Sequence, residues 1–265
     1  MVMDTTSKRT FRRTFTSGEV PLFGTFIKTP SSHSVEIVGE LGYDFVIIDA
    51  EHAPFDRVSV DRTLLAAKAA GTSALVRVPV VASEYILAAL DDGATGILAP
   101  HISSARDAAQ LVSLCRYAGT RGYSNSPRAG RYGGKSMWQH IDDADETVTV
   151  IAMIEDPPAV DQIDEILGIE GLDGIFIGRG DLAVALGDRE PGTPRVKAAT
   201  HRVIEAARRL RKPVCLLATD ADEALEFHAL GVSAFVISSD QGFMRSAAKL
   251  ALGDFQAACR NNISK

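Results

Sequence analysis

The residues with the clearest chemical potential follow an apolar run. Val46-Ile47-Ile48 ends in Asp49-Ala50-Glu51-His52-Ala53-Pro54, so a buried strand would deliver two carboxylates and an imidazole to its C-terminal end. The same grammar recurs along the chain. Arg77 stands in Val-Arg-Val-Pro, Glu155 closes Ala-Met-Ile-Glu, and Gly178-Arg179-Gly180-Asp181-Leu182 follows Gly174–Ile177. Ser238, Ser239 and Asp240 follow the last apolar run. Ionised groups are expensive to bury unless paired or bound to an ion, so several of them at strand ends imply a ligand or a metal.

Glu155 and Asp181 make the natural metal pair. Two carboxylates completed by water and substrate oxygens suit a hard divalent ion, Mg²⁺ or Mn²⁺; no His/Cys cluster has zinc spacing. The competing reading is a loop ion pair between Glu155 and Arg179. Gly178 and Gly180 would let backbone amides approach an anion at a helix start, where the dipole favours negative charge. His52 is the histidine that lands at this face and is the candidate acid–base. His101, just after Gly96–Ala99, is a second candidate; His33, His201 and His228 fall in helical stretches, and His140 has no clear placement.

Positioning these groups requires a particular scaffold. Apolar runs at 22–27, 45–49, 73–78, 96–99, 149–154, 174–177, 213–217 and 234–237 alternate with helical stretches, among them 31–41, 58–70, 83–92, 103–116, 194–210, 221–230 and 243–258. Strands buried on both faces read as continuous apolar runs. Repeated right-handed crossovers between parallel strands close at eight. The expectation is a single (β/α)8 TIM barrel over residues 1–265, with 1–19 as an N-terminal surface segment carrying a short helix. The stretch 118–145, rich in Gly, Arg, Tyr and Ser, is a long loop excursion, and such loops are usually functional or mobile.

Composition narrows the class further. The 265 residues are 46% hydrophobic but only 6% aromatic, typical of an Ala/Val/Ile/Leu-rich α/β enzyme. A net charge of −6, with basic residues dispersed, argues against nucleic acid as partner. No apolar run reaches the roughly 18 residues of a membrane span. The three cysteines, Cys115, Cys215 and Cys259, are far apart and fit a reducing cytoplasm. Lys8, Arg9, Arg12 and Arg13 superficially suggest a transit peptide, but Asp4 and the missing apolar face oppose it.

Taken in order, Asp49-Ala-Glu51-His52-Ala-Pro54, Arg77-Val-Pro79, Leu90-Asp91-Asp92-Gly93, Arg121-Gly122, Ile154-Glu155 and Gly178-x-x-Asp181-Leu182 resemble the HpcH/HpaI aldolase family from about Gly18 onward. The resemblance implies a metal-dependent class II pyruvate aldolase on a TIM barrel with a swapped C-terminal helix, assembled as a hexamer, a trimer of dimers. It implies that Glu155 and Asp181 hold the divalent metal (Mg²⁺, Mn²⁺ or Co²⁺). Arg77 and the amides of Gly180 and Asp181 would bind pyruvate, and His52 would be the acid–base. Asp49 and Asp91 would support His52, Asp91 from a neighbouring subunit.

Two departures stand out. The family commonly has Gly-Pro-Ala-Asp where this chain has Gly178-Arg179-Gly180-Asp181, placing an extra cation beside the metal loop. It often has Gln where Met153 stands, which removes a polar substrate contact. Arg121, Arg128 and Arg131, with Tyr123 and Tyr132, read equally as a rim binding an acidic semialdehyde and as a solvated or subunit-contacting loop. The expected reaction is reversible cleavage of a 4-hydroxy-2-oxo acid to pyruvate and an aldehyde. The alternatives are a lyase acting on a CoA ester of the citryl or malyl type, and a Schiff-base aldolase using Lys28, the lysine best placed at the mouth.

Overall fold

A computed structural model describes residues 10–263; Asp4, Lys8 and Arg9 of the transit-peptide reading lie outside the described residues. After α1 (Phe11–Ser17) the chain runs β1 (Leu22–Ile27), α2 (Ser32–Glu40), β2 (Phe45–Asp49), α3 (Arg57–Ala70), β3 (Ser73–Arg77), α4 (Ser83–Asp91), β4 (Gly96–Ala99) and α5 (Ala105–Cys115). It continues through α6 (Met137–Thr147), β5 (Thr149–Ile154), α7 (Pro157–Asp161), α8 (Ile163–Leu167), β6 (Gly174–Ile177) and α9 (Arg179–Leu186). Last come α10 (Pro194–Arg209), β7 (Val214–Ala218), α11 (Ala221–Leu230), β8 (Ala234–Ser239) and α12 (Asp240–Ile263). The strands form one closed parallel barrel in sequence order, β1 to β8, as the periodicity predicts.

Strand alternation sorts the side chains into two cores. Val46, Ile48, Val76, Ile97, Val150 and Ile154 face outward to the helices, while Phe45, Ile47, Leu75, Leu98, Ile151, Met153 and Phe176 fill the barrel interior. Continuing the inward register to the strand ends gives Lys28, Asp49, Arg77, Glu155 and Gly178. Asp49 and Arg77 are register partners on neighbouring strands. The period of two therefore puts the charged residues on the inner wall of the C-terminal mouth.

The N-terminal helix departs from the expected surface segment. Thr10 caps α1 by accepting from the Arg13 amide, and Phe11 and Phe15, one turn apart, are both buried in the interior core. Phe11 packs against Phe45 with ring centroids 5.4 Å apart, and a Cβ on Gly174 would lie 2.7 Å from the Phe15 ring. Arg12 ties the helix down through Asp173, 2.8 Å away, which also pairs with Arg116 at 2.9 Å. Thus α1 plugs the N-terminal end of the barrel. A fully buried Phe contributes about 1.5–3 kcal/mol, reason enough for the segment to leave the surface.

At the other end of the chain, α12 runs off the barrel. Met244, Leu250, Leu252 and Phe255 are 60% or more exposed along it. An apolar groove of about 460 Å³ lies open between β1, β8 and α11, lined by Phe23, Leu225, Phe235 and Ile237 among others. Among the described residues, no helix is long and apolar enough to cross a membrane.

Candidate active site

The floor of the mouth is an ionic cluster. Arg77 donates from Nε to Asp49 Oδ1 at 2.9 Å and from Nη2 to Oδ2 at 2.7 Å. Lys28 Nζ lies 2.8 Å from the same Oδ2. The Asp49 carboxylate is fully buried; burial alone would raise its pKa, but the Arg77 hydrogen bonds and charge, with Lys28 and the His52 amide, hold it at about 2. Arg77 Nη1 reaches on to Glu51 Oε2 at 3.3 Å. This guanidinium, backed by one carboxylate and flanked by another, sits at the edge of the mouth cavity.

Glu155 forms the second cluster. Its Oε1 accepts from the His101 amide at 2.8 Å, which points there because His101 adopts a left-handed backbone, φ 54°. A non-glycine residue there is strained by about 1–2 kcal/mol. The His101 imidazole lies 3.1 Å from Asp156 Oδ2, 3.5 Å from Glu155 Oε1 and 3.9 Å from Glu51 Oε1. Burial lowers its basicity, but those three carboxylates outweigh burial and raise it. For Glu155, burial raises the pKa, the His101 amide and ring oppose this, and the charges of Asp181 and Glu51 push it further up.

Gly178 explains how Glu155 fits. A Cβ there would fall 2.5 Å from Glu155 Oε2, so the carboxylate lies directly over the glycine that begins the next loop. Gly178 is also the N-cap of α9 and supplies no side-chain cap. The first amides of that helix, with no preceding carbonyl to bond, remain donors for a ligand. Together Arg77, Met153, Phe176, Gly178, Gly180 and Asp181 line a cavity of about 490 Å³.

The donor chemistry fits a hard divalent cation. A carboxylate raised in pKa by burial, and further by the neighbouring Asp181 and Glu51, favours a positive charge beside it, and its oxygens match Mg²⁺ or Mn²⁺ rather than a soft metal. Among the described residues, no group of three or more His, Cys, Asp or Glu side chains is arranged to hold an ion by itself. A site built on two carboxylates would leave coordination positions to water and substrate.

The remaining sequence-derived candidates fall in different places. His52 stands at the mouth with its side chain 56% exposed, Nε2 lying 3.7 Å from Glu51 Oε2. Asp49 reaches His52 only through its backbone amide, at 3.1 Å; its carboxylate is directed to Arg77 and Lys28. Asp91 and Arg121 are not at this mouth in the same chain. Asp91 ends α4, and Arg121 lies in the excursion joining α5 to the start of β5, both at the N-terminal end of the barrel. They are 3.5 Å from each other, with Arg121 stacked on Tyr117 at 4.4 Å. Arg121 is buried, so it is no rim over its own mouth. Arg128 likewise holds the Asp92 carbonyl, at 2.6 Å, and His140 is buried against the Tyr117 hydroxyl, at 2.8 Å.

Arg179 also lines the mouth cavity, together with Glu223, but its guanidinium is paired within the wall. Nη1 bonds Glu223 Oε1 at 2.6 Å and Nη2 bonds Oε2 at 2.8 Å. Sequence reasoning missed this partner, as it missed Lys28 as the second cation on Asp49; both pairs are remote in sequence and carry no local signal. Glu51, noted only as part of the motif, proves to bridge the Arg77 and His101 clusters.

Known proteins share both the sequence pattern and the fold of this chain. The sequence profile of a family described as HpcH/HpaI aldolase/citrate lyase matches residues 22–247. A 5-keto-4-deoxy-D-glucarate aldolase of Klebsiella pneumoniae subsp. pneumoniae is 33% identical over 217 residues, covering 81% of this chain and 84% of that protein. One from Enterobacter sp. (strain 638) is 31% identical over 249 residues, 93% of this chain and 96% of that one. Among solved structures, an HpcH/HpaI aldolase/citrate lyase family protein from Burkholderia cenocepacia superposes with a TM-score of 0.88 at 30% identity, covering 92% and 98% of the two chains. The citrate synthase SbnG superposes with a TM-score of 0.84 at 29% identity, covering 95% and 100%.

Proposed function

Because the chain belongs to the HpcH/HpaI aldolase/citrate lyase family, we propose that its mouth cluster binds the pyruvate half of a 4-hydroxy-2-oxo acid diacid and that His52 drives the cleavage. The protein is a class II, pyruvate-type aldolase, a carbon–carbon lyase. The observation that carries the site reading is the buried Glu155, which lies over Gly178 and is pushed toward its neutral form by burial first and then by the charges of Asp181 and Glu51.

In this reading Glu155 and Asp181 hold the divalent ion, Mg²⁺, Mn²⁺ or Co²⁺, which when bound polarises the 2-oxo group as a Lewis acid. Arg77 receives the substrate carboxylate; its other nitrogens are fixed by Asp49, so it is oriented before substrate arrives. The amides of Gly180 and Asp181 supply further donors to the same end. His52 accepts the proton of the C4 hydroxyl as the C3–C4 bond breaks, and the bond electrons pass toward the C2 oxygen. Arg77 opposes the charge that develops on the pyruvate fragment, an effect worth a few kcal/mol per donor. Protonation of the enolate at C3 completes pyruvate, and His52, exposed and close to Glu51, is placed to pass its proton to solvent before the next turnover.

The relatives named 5-keto-4-deoxy-D-glucarate aldolase suggest the substrate class. C3–C4 cleavage of such an acid gives pyruvate and a short hydroxy semialdehyde bearing its own carboxylate. That fits the expected acidic aldehyde and a role in sugar-acid catabolism in the cytoplasm. Lys28 is a poor Schiff-base nucleophile here, since its Nζ is committed to Asp49.

We further read the open groove beside β8 and the exposed α12 as two halves of a swapped-helix dimer, the unit of a hexameric trimer of dimers. In such an assembly Asp91, remote from its own mouth, would serve that of a neighbouring copy, with the buried Arg121 beside it as its support.

The test is pyruvate release from 5-keto-4-deoxy-D-glucarate, with EDTA, with added Mg²⁺, Mn²⁺ or Co²⁺, and with borohydride. Loss under EDTA, rescue by metal and indifference to borohydride support the reading. Activity that survives EDTA but is trapped by borohydride with pyruvate would transfer the role to Lys28, and no pyruvate under any condition would point to CoA esters.

A further inference from the structure

Arg179 opens α9 between two glycines, Gly178 under the Glu155 carboxylate and Gly180 before Asp181. Gly180 has open space where a Cβ would stand, so packing does not fix the loop there. Gly178 provides no side-chain cap. The first turn of α9, which must present Asp181 and free amides, therefore has glycine freedom at its start; Leu182 and Ala183 bury its far side, and Arg179 anchors its beginning.

That anchor is extensive. Besides its two bonds to Glu223, Arg179 Nη2 donates to the Leu217 carbonyl at 2.8 Å, and its guanidinium stacks on the Phe227 ring at 4.9 Å. Glu223 in turn accepts from the amide and hydroxyl of Thr219, at 2.8 and 3.0 Å. Its own amide donates to Asp220, the N-cap of α11, at 2.8 Å. Leu217 and Thr219 belong to the end of β7 and the loop after it. One ion pair thus ties the β6–α9 turn to the β7–α11 turn across the mouth wall. An exposed single-point ion pair is worth little; a two-point, stacked pair whose arginine side chain is 10% exposed is a geometric constraint.

We propose that Arg179 and Glu223 form a positioning clamp that holds Asp181 and the Gly180 amide in ligand-ready geometry before metal and oxo acid arrive. This rests on the reading of Glu155 and Asp181 as the metal pair. Arg179 and Glu223 line the cavity, but the guanidinium is bonded to Glu223 and the Leu217 carbonyl, so its effect is on the loop. Groups that orient ligands of a metal typically alter affinity by about 10- to 100-fold when removed.

The experiment uses the full chain stripped of metal. Mn²⁺ is titrated by calorimetry, then oxalate at saturating Mn²⁺, for the wild type, Arg179→Ala, Arg179→Lys, Glu223→Gln and the Ala/Gln double variant. Hydrogen exchange of residues 178–186 is followed in the metal-free proteins, with thermal melting as a folding control. Expected are affinities for Mn²⁺ and oxalate about tenfold or more weaker in Arg179→Ala and Glu223→Gln, partial recovery in Arg179→Lys, and a double variant no worse than the singles. Exchange should rise in 178–186 and not around the rest of the barrel. Variants that melt earlier yet bind Mn²⁺ and oxalate as the wild type does would overturn the clamp and leave a merely structural pair. A wild type that binds no Mn²⁺ would overturn the Glu155/Asp181 reading instead; exchange would then decide the clamp alone, upheld by a local rise and overthrown by none.

Discussion

Arg77 grips Asp49 with two parallel bonds, 2.9 and 2.7 Å long, across adjacent strands on which the two residues are register partners. The pairing is a consequence of parallel-strand geometry: inward-facing residues at matching heights meet. A guanidinium so held keeps one edge fixed and turns the rest toward the cavity. Asp49 is thus less a partner of the His52 ring than the device that aims Arg77.

Asp49→Asn should therefore weaken oxo-acid binding more than it slows chemistry, raising KM more than it lowers kcat. It should also change the acid limb of stability. The folded-state pKa of Asp49 is depressed, to about 2 from an ordinary 3.8, so its contribution is present above the unfolded value and lost as pH falls toward 2. The amount is on the order of 2 kcal/mol. Urea unfolding from pH 6 to 2 should show the wild-type advantage over Asp49→Asn shrinking across the lower part of that range. Parallel curves would refute the assignment.

His52→Ala should lower kcat by about 10²- to 10⁴-fold, the usual worth of a general acid–base, while Mn²⁺ affinity measured by calorimetry stays near that of the wild type. Equal losses in both would remove His52 from the proton-transfer role.

Glu155→Gln should separate stability from function. Removing a carboxylate that is buried, and close to Asp181 and Glu51, relieves both its desolvation and the repulsion, so the metal-free variant should melt no lower than the wild type. Added Mn²⁺ should raise the wild-type Tm by ligand linkage and leave that of the variant unmoved. A variant still stabilised by Mn²⁺ would place the ion elsewhere.

Phe15→Ala should cost about 3–5 kcal/mol, because the ring is 1% exposed within the interior core. Denaturant unfolding would measure this. A loss below about 1 kcal/mol would mean that α1 is dispensable as a plug.

Leu252→Asp with Phe255→Asp should leave the barrel folded, since both side chains are exposed on α12 in the single chain. It should break the proposed swapped-helix assembly, with light scattering reporting a smaller species than the wild type. An unchanged mass would dissociate α12 from oligomerisation.

The sequence by itself determined the barrel and most of its chemical wall. Fully apolar strands are legible because both their faces are buried, and their period of two carries Asp49, Arg77 and Glu155 inward at the ends of β2, β3 and β5. The loop glycine at 178 was legible too, as a place for backbone approach, though not that Glu155 would lie on it. Even the burial of α1 had a trace in the one-turn spacing of Phe11 and Phe15, but nothing local could say that their partner was the open end of a barrel closed 200 or so residues later. Tertiary structure alone decided which charges meet. It gave Lys28 to Asp49 and Glu223 to Arg179, and it sent Asp91 and Arg121 to the end opposite His52. Side-chain type and local pattern set what a residue can do. Ion pairing acts over a few ångströms between segments remote in sequence, so only the closed barrel could choose its partner.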